Sequence, residues 1–109
     1  MAETPKTLGQ VAPNATTATT LYTVPAATAA VISTLVACNR GVASGTFRIA
    51  IRVGGAATEN KHYITYDCPL SAYAFTTITI GITLAATDIV EVYASSADFS
   101  FNLFGVEVT

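Results

Sequence analysis

The chain has 109 residues, of which 51% are hydrophobic and only 11% charged, for a formal net charge of −2. That length suits one domain with a core of its own, needing neither a structural metal nor a set of disulfides to fold. Lysine and arginine are few and do not cluster with aromatics, which excludes a nucleic-acid-binding surface; no apolar run reaches the ~18 residues that span a bilayer.

With charge so scarce, against about 25% in an ordinary soluble domain, the outer surface must be Thr, Ala and Ser or be covered by another chain. The charges are unevenly placed. Arg40, Arg48, Arg52 and Lys61 outweigh Glu59 in one segment, whereas Asp67, Asp88, Glu91, Asp98 and Glu107 have no basic residue among them. The basic segment of one copy is thus a candidate to face the acidic segment of the next. The opening MAETPKTLGQ has no apolar stretch of the kind a secretion signal needs.

Residues 1–18 contain Pro5, Pro13 and a Thr/Ala run and little periodicity, and read as an extended N-terminal arm; residues 19–109 read as a single β-sandwich domain. Leu21–Val24 is a short strand that stops at Pro25. The stretch 29–38 is apolar on both parities, with Val31, Leu35 and Ala37 on one and Ile32, Val36 and Cys38 on the other. A strand covered on both faces has this pattern. It ends in the polar turn Asn39-Arg40-Gly41.

The segment 46–53 alternates, placing Phe47, Ile49, Ile51 and Val53 inward and Arg48, Ala50 and Arg52 outward. Gly54-Gly55 opens a hairpin-type connection. A strand over 61–68 follows, ended by Pro69, and another over 75–82 sets Ile78, Ile80 and Ile82 against threonines. The turn at 84–88 repeats the Ala-Ala-Thr of the Pro25 corner. Strands over 89–94 and 99–109 complete the chain. The inward phase of the last, Phe99, Phe101 and Leu103, flips to Val106 and Val108, and a bulge near Gly105 accounts for the flip. Seven to eight short strands without a helix predict an all-β, antiparallel, jelly-roll-like β-sandwich, with a closed barrel as the alternative.

Catalytic and cofactor chemistry finds no footing. His62 is the lone histidine and reads as a surface or interface residue. Cys38 and Cys68 are two buried thiols or, alternatively, a disulfide between adjacent strands. Asp88 and Glu91 straddle a turn and a strand, unlike a glycosidase pair, and no phosphate-binding glycine motif occurs. No cofactor and no metal is implied, and the chain is expected not to be an enzyme. The five tyrosines (Tyr22, Tyr63, Tyr66, Tyr73, Tyr93) are core and interface aromatics or, alternatively, stacking platforms of a carbohydrate-binding module.

The stretches LYTVPAATAAVISTLVACN, FRIAIRVGG, KHYITYDCPL, GITLAATDIVEVYAS and FSFNLFGVEVT resemble a group of small virion proteins of tailed bacteriophages. The resemblance rests on Tyr22 and Pro25, on Asn39, on Leu84 and Asp88, and on Phe104 to Glu107, and covers about residues 20–109. It implies a structural role on the virion, foremost as a capsid decoration (cement) protein on the outside of the head, alternatively as part of a tail, baseplate or fibre. The partners implied are other copies of the chain, as a trimer or dimer, and the major capsid protein or other virion proteins. Arg48 and Arg52 are the candidate subunit-interface residues.

Overall fold

Nine strands arise from the alternating segments, and the computed structural model describes them over residues 2–109. They are β1 (Glu3–Val11), β2 (Thr19–Thr23), β3 (Ala29–Asn39), β4 (Gly45–Arg52), β5 (Tyr63–Leu70), β6 (Phe75–Ile78), β7 (Ile82–Leu84), β8 (Ile89–Ala94) and β9 (Phe99–Val108). One sheet runs β1-β9-β3-β6 with β7 also on β3, and the other runs β2-β8-β4-β5. All pairings are antiparallel. Apart from the β4–β5 hairpin and the β6/β7 pair, each strand lies in the sheet opposite its predecessor. With β6 and β7 counted as one interrupted strand, this is the jelly-roll topology of two four-stranded sheets, so the sandwich, and not the barrel, is the architecture.

The ninth strand comes from that interruption. The expected strand over 75–82 breaks at residues 79–81, where Gly81 takes φ 70. Ile80, expected to face inward, is 63% exposed at this break.

The N-terminal arm expected over residues 1–18 is not an arm. Met1 lies outside the described residues, and Glu3–Val11 form β1, laddered to β9 from Glu3↔Val108 to Val11↔Phe101. Backbone hydrogen bonds in both directions between Ala2 and Thr109 continue that ladder. Pro5 is tolerated because β1 is an edge strand, with one side free of the ladder. The same reason corrects the end of β5: Pro69 does not stop this strand, which runs on to Leu70 at the edge of its sheet. Lys61 and His62 stand before β5 in a 3-10 turn, Asn60–His62.

The core lies between the sheets. Phe47 from β4 meets Phe99 and Phe101 from β9, with ring centroids 6.1–6.4 Å apart within the trio, and Leu35, Ile49, Val92 and Leu103 are fully buried around them. Burying each such side chain is worth about 1.5–3 kcal/mol. Val53, expected inward, is 66% exposed because β4 ends at Arg52 and the chain turns through Val53–Gly55.

Two bulges explain the doubly apolar pattern of β3 and correct the flip expected in β9. Ile32 pairs with Gly105 but Thr34 with Phe104, so Ser33 is an extra residue in β3. Likewise Thr7 pairs with Phe104 and Gly9 with Leu103, making Leu8 extra in β1. The inward set of β3 is therefore Ala30 and Ile32, then Leu35, Ala37 and Asn39. In β9 the inward alternation continues unbroken through Phe99, Phe101, Leu103, Gly105 and Glu107, leaving Val106 and Val108 on the outer face. The irregularity lies beside Gly105, in the two neighbouring strands.

Candidate functional site

Of the two outer faces, that of the β2-β8-β4-β5 sheet carries the paired charges. On the β2-β8-β4-β5 sheet, Arg48 reaches Asp67 with two contacts, Nε to Oδ1 at 2.7 Å and Nη2 to Oδ2 at 3.3 Å. Its guanidinium lies 4.1 Å from the ring centroid of Tyr66 and 4.4 Å from that of Tyr93. The strand register sets Tyr93 directly opposite Arg48, and Asp67 is brought in by a bulge in β5 at which it adopts φ 51. The Arg48 hydrogen bond holds the Asp67 carboxyl below the usual carboxylate range.

Arg52 is equally committed. It donates to the Ala56 carbonyl at 2.6 Å and the Gly55 carbonyl at 3.2 Å, and pairs with Glu91 at 3.4 Å. Thr58 donates to the other oxygen of Glu91 at 2.6 Å. The two arginines singled out from the sequence thus share one outer face, each closed onto partners of its own chain. Asn60, Tyr63 and Tyr66 line a shallow open depression on this face, and the rings of Tyr63 and Tyr66 meet edge-on at 4.9 Å.

The outer face of the β1-β9-β3-β6 sheet is different. Alternation about the buried residues puts Val106, Val108 and Phe104 of β9, Val31 and Val36 of β3, and Phe75 of β6 on this face, interleaved with Thr7, Gln10, Thr34, Thr77, Thr83 and Asn102. Phe75 is 69% exposed, Val31 44% and Phe104 37%. Glu3, at the start of β1, is the one charged side chain of these strands on this side; Lys6 and Glu107 belong to the inward parity and pair at 2.9 Å at the rim of the sandwich. The sequence had β3 covered on both faces; the Ser33 bulge, which shifts its parity halfway along, accounts for that doubly apolar pattern.

The remaining polar residues hold the ends of the sandwich. Asn39 is buried at 1% exposure. Its amide donates to the Ala43 and Leu70 carbonyls and its Oδ1 accepts from the Gly41 N–H. Asp88 accepts from the N–H groups of Gly54 and Ala85. Here the two Ala-Ala-Thr turns lie side by side: Val24 donates to the Asp88 carbonyl and Thr87 to the Val24 carbonyl, with Ala27 and Thr87 both at positive φ. His62, expected at the surface or at an interface, is buried within the chain, and its Nδ1 accepts from the Glu59 N–H across the 3-10 turn. Cys38 and Cys68 are both free and half-buried, on strands of opposite sheets. Among the described residues, no three His, Cys, Asp or Glu side chains gather as a metal site would need.

The sequence matches no family model and no curated protein. Its fold is similar to that of a chain in the structure of infectious bursal disease virus, Gx strain. The TM-score is 0.54 at 14% sequence identity, over 98% of this chain and 32% of that one. This chain therefore spans about a third of the length of the viral one, and at that identity the likeness is one of fold.

Proposed function

We propose that the protein is a non-enzymatic structural component of a bacteriophage virion, a capsid decoration (cement) protein that stabilises the head from outside by bridging capsid subunits. The observation that carries this reading is the jelly-roll fold, two four-stranded antiparallel sheets. That fold is shared with a chain of a virus structure, and exposed Val31, Phe75 and Phe104 on one sheet face offer apolar contact points among its threonines and amides. The rest of the molecule supports a scaffold rather than a reaction centre. Its buried polar groups, Asn39, Asp88 and His62, are occupied with backbone partners. In this reading Arg48 and Arg52, expected at a subunit interface, shape the opposite face, since both are paired within the chain.

Titrating the purified protein onto emptied heads and onto isolated tails of the phage that encodes it tests the reading. Saturable binding to heads at hundreds of copies per particle, with heads made more resistant to heat, is the expected result. Binding to tails alone at low copy would assign it to a tail, baseplate or fibre instead. One observation favours a second reading: Asn60, Tyr63 and Tyr66 combine aromatic rings and an amide around one depression, as a carbohydrate-binding module requires. Glycan binding by the monomer, abolished by Tyr66→Ala and accompanied by no affinity for heads, would establish that reading.

A further inference from the structure

A cleft of about 520 Å³ opens at the side of the sandwich, between the end of β4 and the start of β5. We propose that it is a binding site for a small aliphatic carboxylate, whose chain lies on Ile51, Val53 and Ile64 and whose head accepts from His62 Nε2–H and pairs with Lys61. The site stands apart from the proposed virion role and needs neither a second copy nor a shell.

Strand ends and one bulge build the cleft. β4 stops at Arg52, and the chain leaves the sheet at Val53, whose side chain is left exposed. Ile49 pairs with Thr65 and Ala50 with Tyr63, so Ile64 is an extra residue in β5. Ile51 and Ile64 pack against the core but stay only partly buried. β5 is the last strand of its sheet, and no further strand closes this side. An opening of this size, with apolar walls and a few polar groups at one end, is the usual form of a small-molecule site.

The polar end supplies donors. His62 is only 7% exposed, and its Nδ1 accepts from the Glu59 N–H at 3.0 Å. A backbone N–H can only donate, so the neutral ring carries its proton on Nε2. Nε2 has no acceptor among the described residues, yet it is not sealed: Thr65 Oγ1 is the one side-chain atom among them that is both wholly covered and unpaired. The ring lines the cleft, so its free N–H is offered to whatever fills it, and buried donors are rarely left without a partner. Lys61 lines the same cleft, is exposed, and takes part in none of the ion pairs of the described residues. Glu59 is on the rim too, but its carboxylate is turned onto the His62 N–H in a capping box. One unspent ammonium and one unspent N–H beside an apolar floor select an anionic, accepting head on an aliphatic body.

Titrating the full chain with octanoate, followed by amide- and imidazole-resolved NMR, tests the proposal. Millimolar octanoate should saturably shift the amides of Ile51, Val53, Lys61 and Ile64 and the Nε2 resonance of His62. Acetate, a head without a body, and octylamine, a body with the opposite head, should move them little. Lys61→Gln should weaken octanoate binding about fivefold, the worth of one exposed charge pair, and Val53→Asp should abolish it. Both side chains are exposed, so both variants should keep the wild-type far-UV spectrum and melting temperature. The absence of a saturable shift at these residues overturns the site. So does octylamine binding as tightly as octanoate, which would leave a plain apolar cleft. Acetate binding as tightly as octanoate overturns it as well, as an adventitious ion only, and so does octanoate binding that survives Val53→Asp. Head titration is read separately: an octanoate site in a protein that binds neither heads nor tails leaves the site standing and the virion role fallen, and the reverse pair of results does the opposite.

Discussion

The phenol of Tyr22 donates a 2.5 Å hydrogen bond to Oε2 of Glu107, across the gap between the two sheets. Lys6 holds the other carboxylate oxygen at 2.9 Å, so one carboxylate ties together β1, β2 and β9. The Tyr22 hydrogen bond, then that of Lys6, pulls the Glu107 carboxyl below its ordinary 4.5. Burial, then Glu107, raises the Tyr22 phenol well above its ordinary 10.0.

The sign of the pH dependence follows. A lowered carboxyl contributes stability that is complete above 4.5 and is lost as pH falls through its lower folded value. A raised phenol contributes stability that is complete below 10.0 and is lost as pH rises towards its higher folded value. Tyr22→Phe should therefore lower stability by ~1–3 kcal/mol between those limits and flatten both flanks. Urea midpoints measured across pH for wild type and variant check this. Parallel curves for the two proteins would mean that the contact carries no linkage.

Asn39 closes the end of β3 with one buried side chain satisfying three backbone groups. Asn39→Ala leaves the Ala43 and Leu70 carbonyls and the Gly41 N–H without that partner, and a buried unpaired polar group costs about 1–3 kcal/mol. We expect a loss of about 3 kcal/mol in the urea midpoint analysis. A loss below ~1 kcal/mol would show that water replaces the amide at this end of the sandwich.

What was legible in the sequence was whatever obeyed a period of two. Phe47, Ile49 and the Phe99–Leu103 alternation lie in the core as read. The polar turn after β3 and the shared Ala-Ala-Thr corners also fall where the residues placed them. Bulges defeat such reading, because an extra residue inverts the inward parity without any change in composition. That is why β3 read as apolar on both sides. Edge position is equally invisible: Pro5 and Pro69 look like breakers until the topology shows both on strands with a free side. Arg48 and Arg52 were found as an outward pair, but their partners come from β5 and β8, and no local pattern announces them.

Gly105 marks where those two bulges converge. A Cβ there would meet the Val31 carbonyl oxygen and stand 3.1 Å from both the Ile32 Cα and a Leu8 methyl. Backbone cannot yield as a flexible side chain does, so Gly105→Ala should cost at the upper end of the ~1–3 kcal/mol typical of overpacking. Thermal melts of the variant check the size of the loss. Wild-type stability in this variant would mean that the β1-β9-β3 ladder relaxes freely, and the parity argument for the outer face would weaken with it.

The last prediction concerns β1. Read from sequence as an arm, residues 1–18 ought to be removable with the fold intact. In the structure β1 covers one side of β9 from Phe101 to Val108, and Leu8 reaches the core. Removing residues 2–11 bares the unpaired N–H and C=O groups of a long apolar strand, the kind of edge that recruits other strands. It also takes Lys6 from Glu107, leaving that carboxylate to the Tyr22 phenol alone. The truncated chain should melt well below the full chain and aggregate through β9. A weaker edge defect, Leu8→Ala, should lower stability by ~2–3 kcal/mol without aggregation, since the ladder itself is kept. Light scattering and melting temperature of both proteins separate the two effects. A truncated chain that stays monomeric with an unchanged melting temperature would show that β9 needs no cover, and would return residues 2–11 to the status of a dispensable arm.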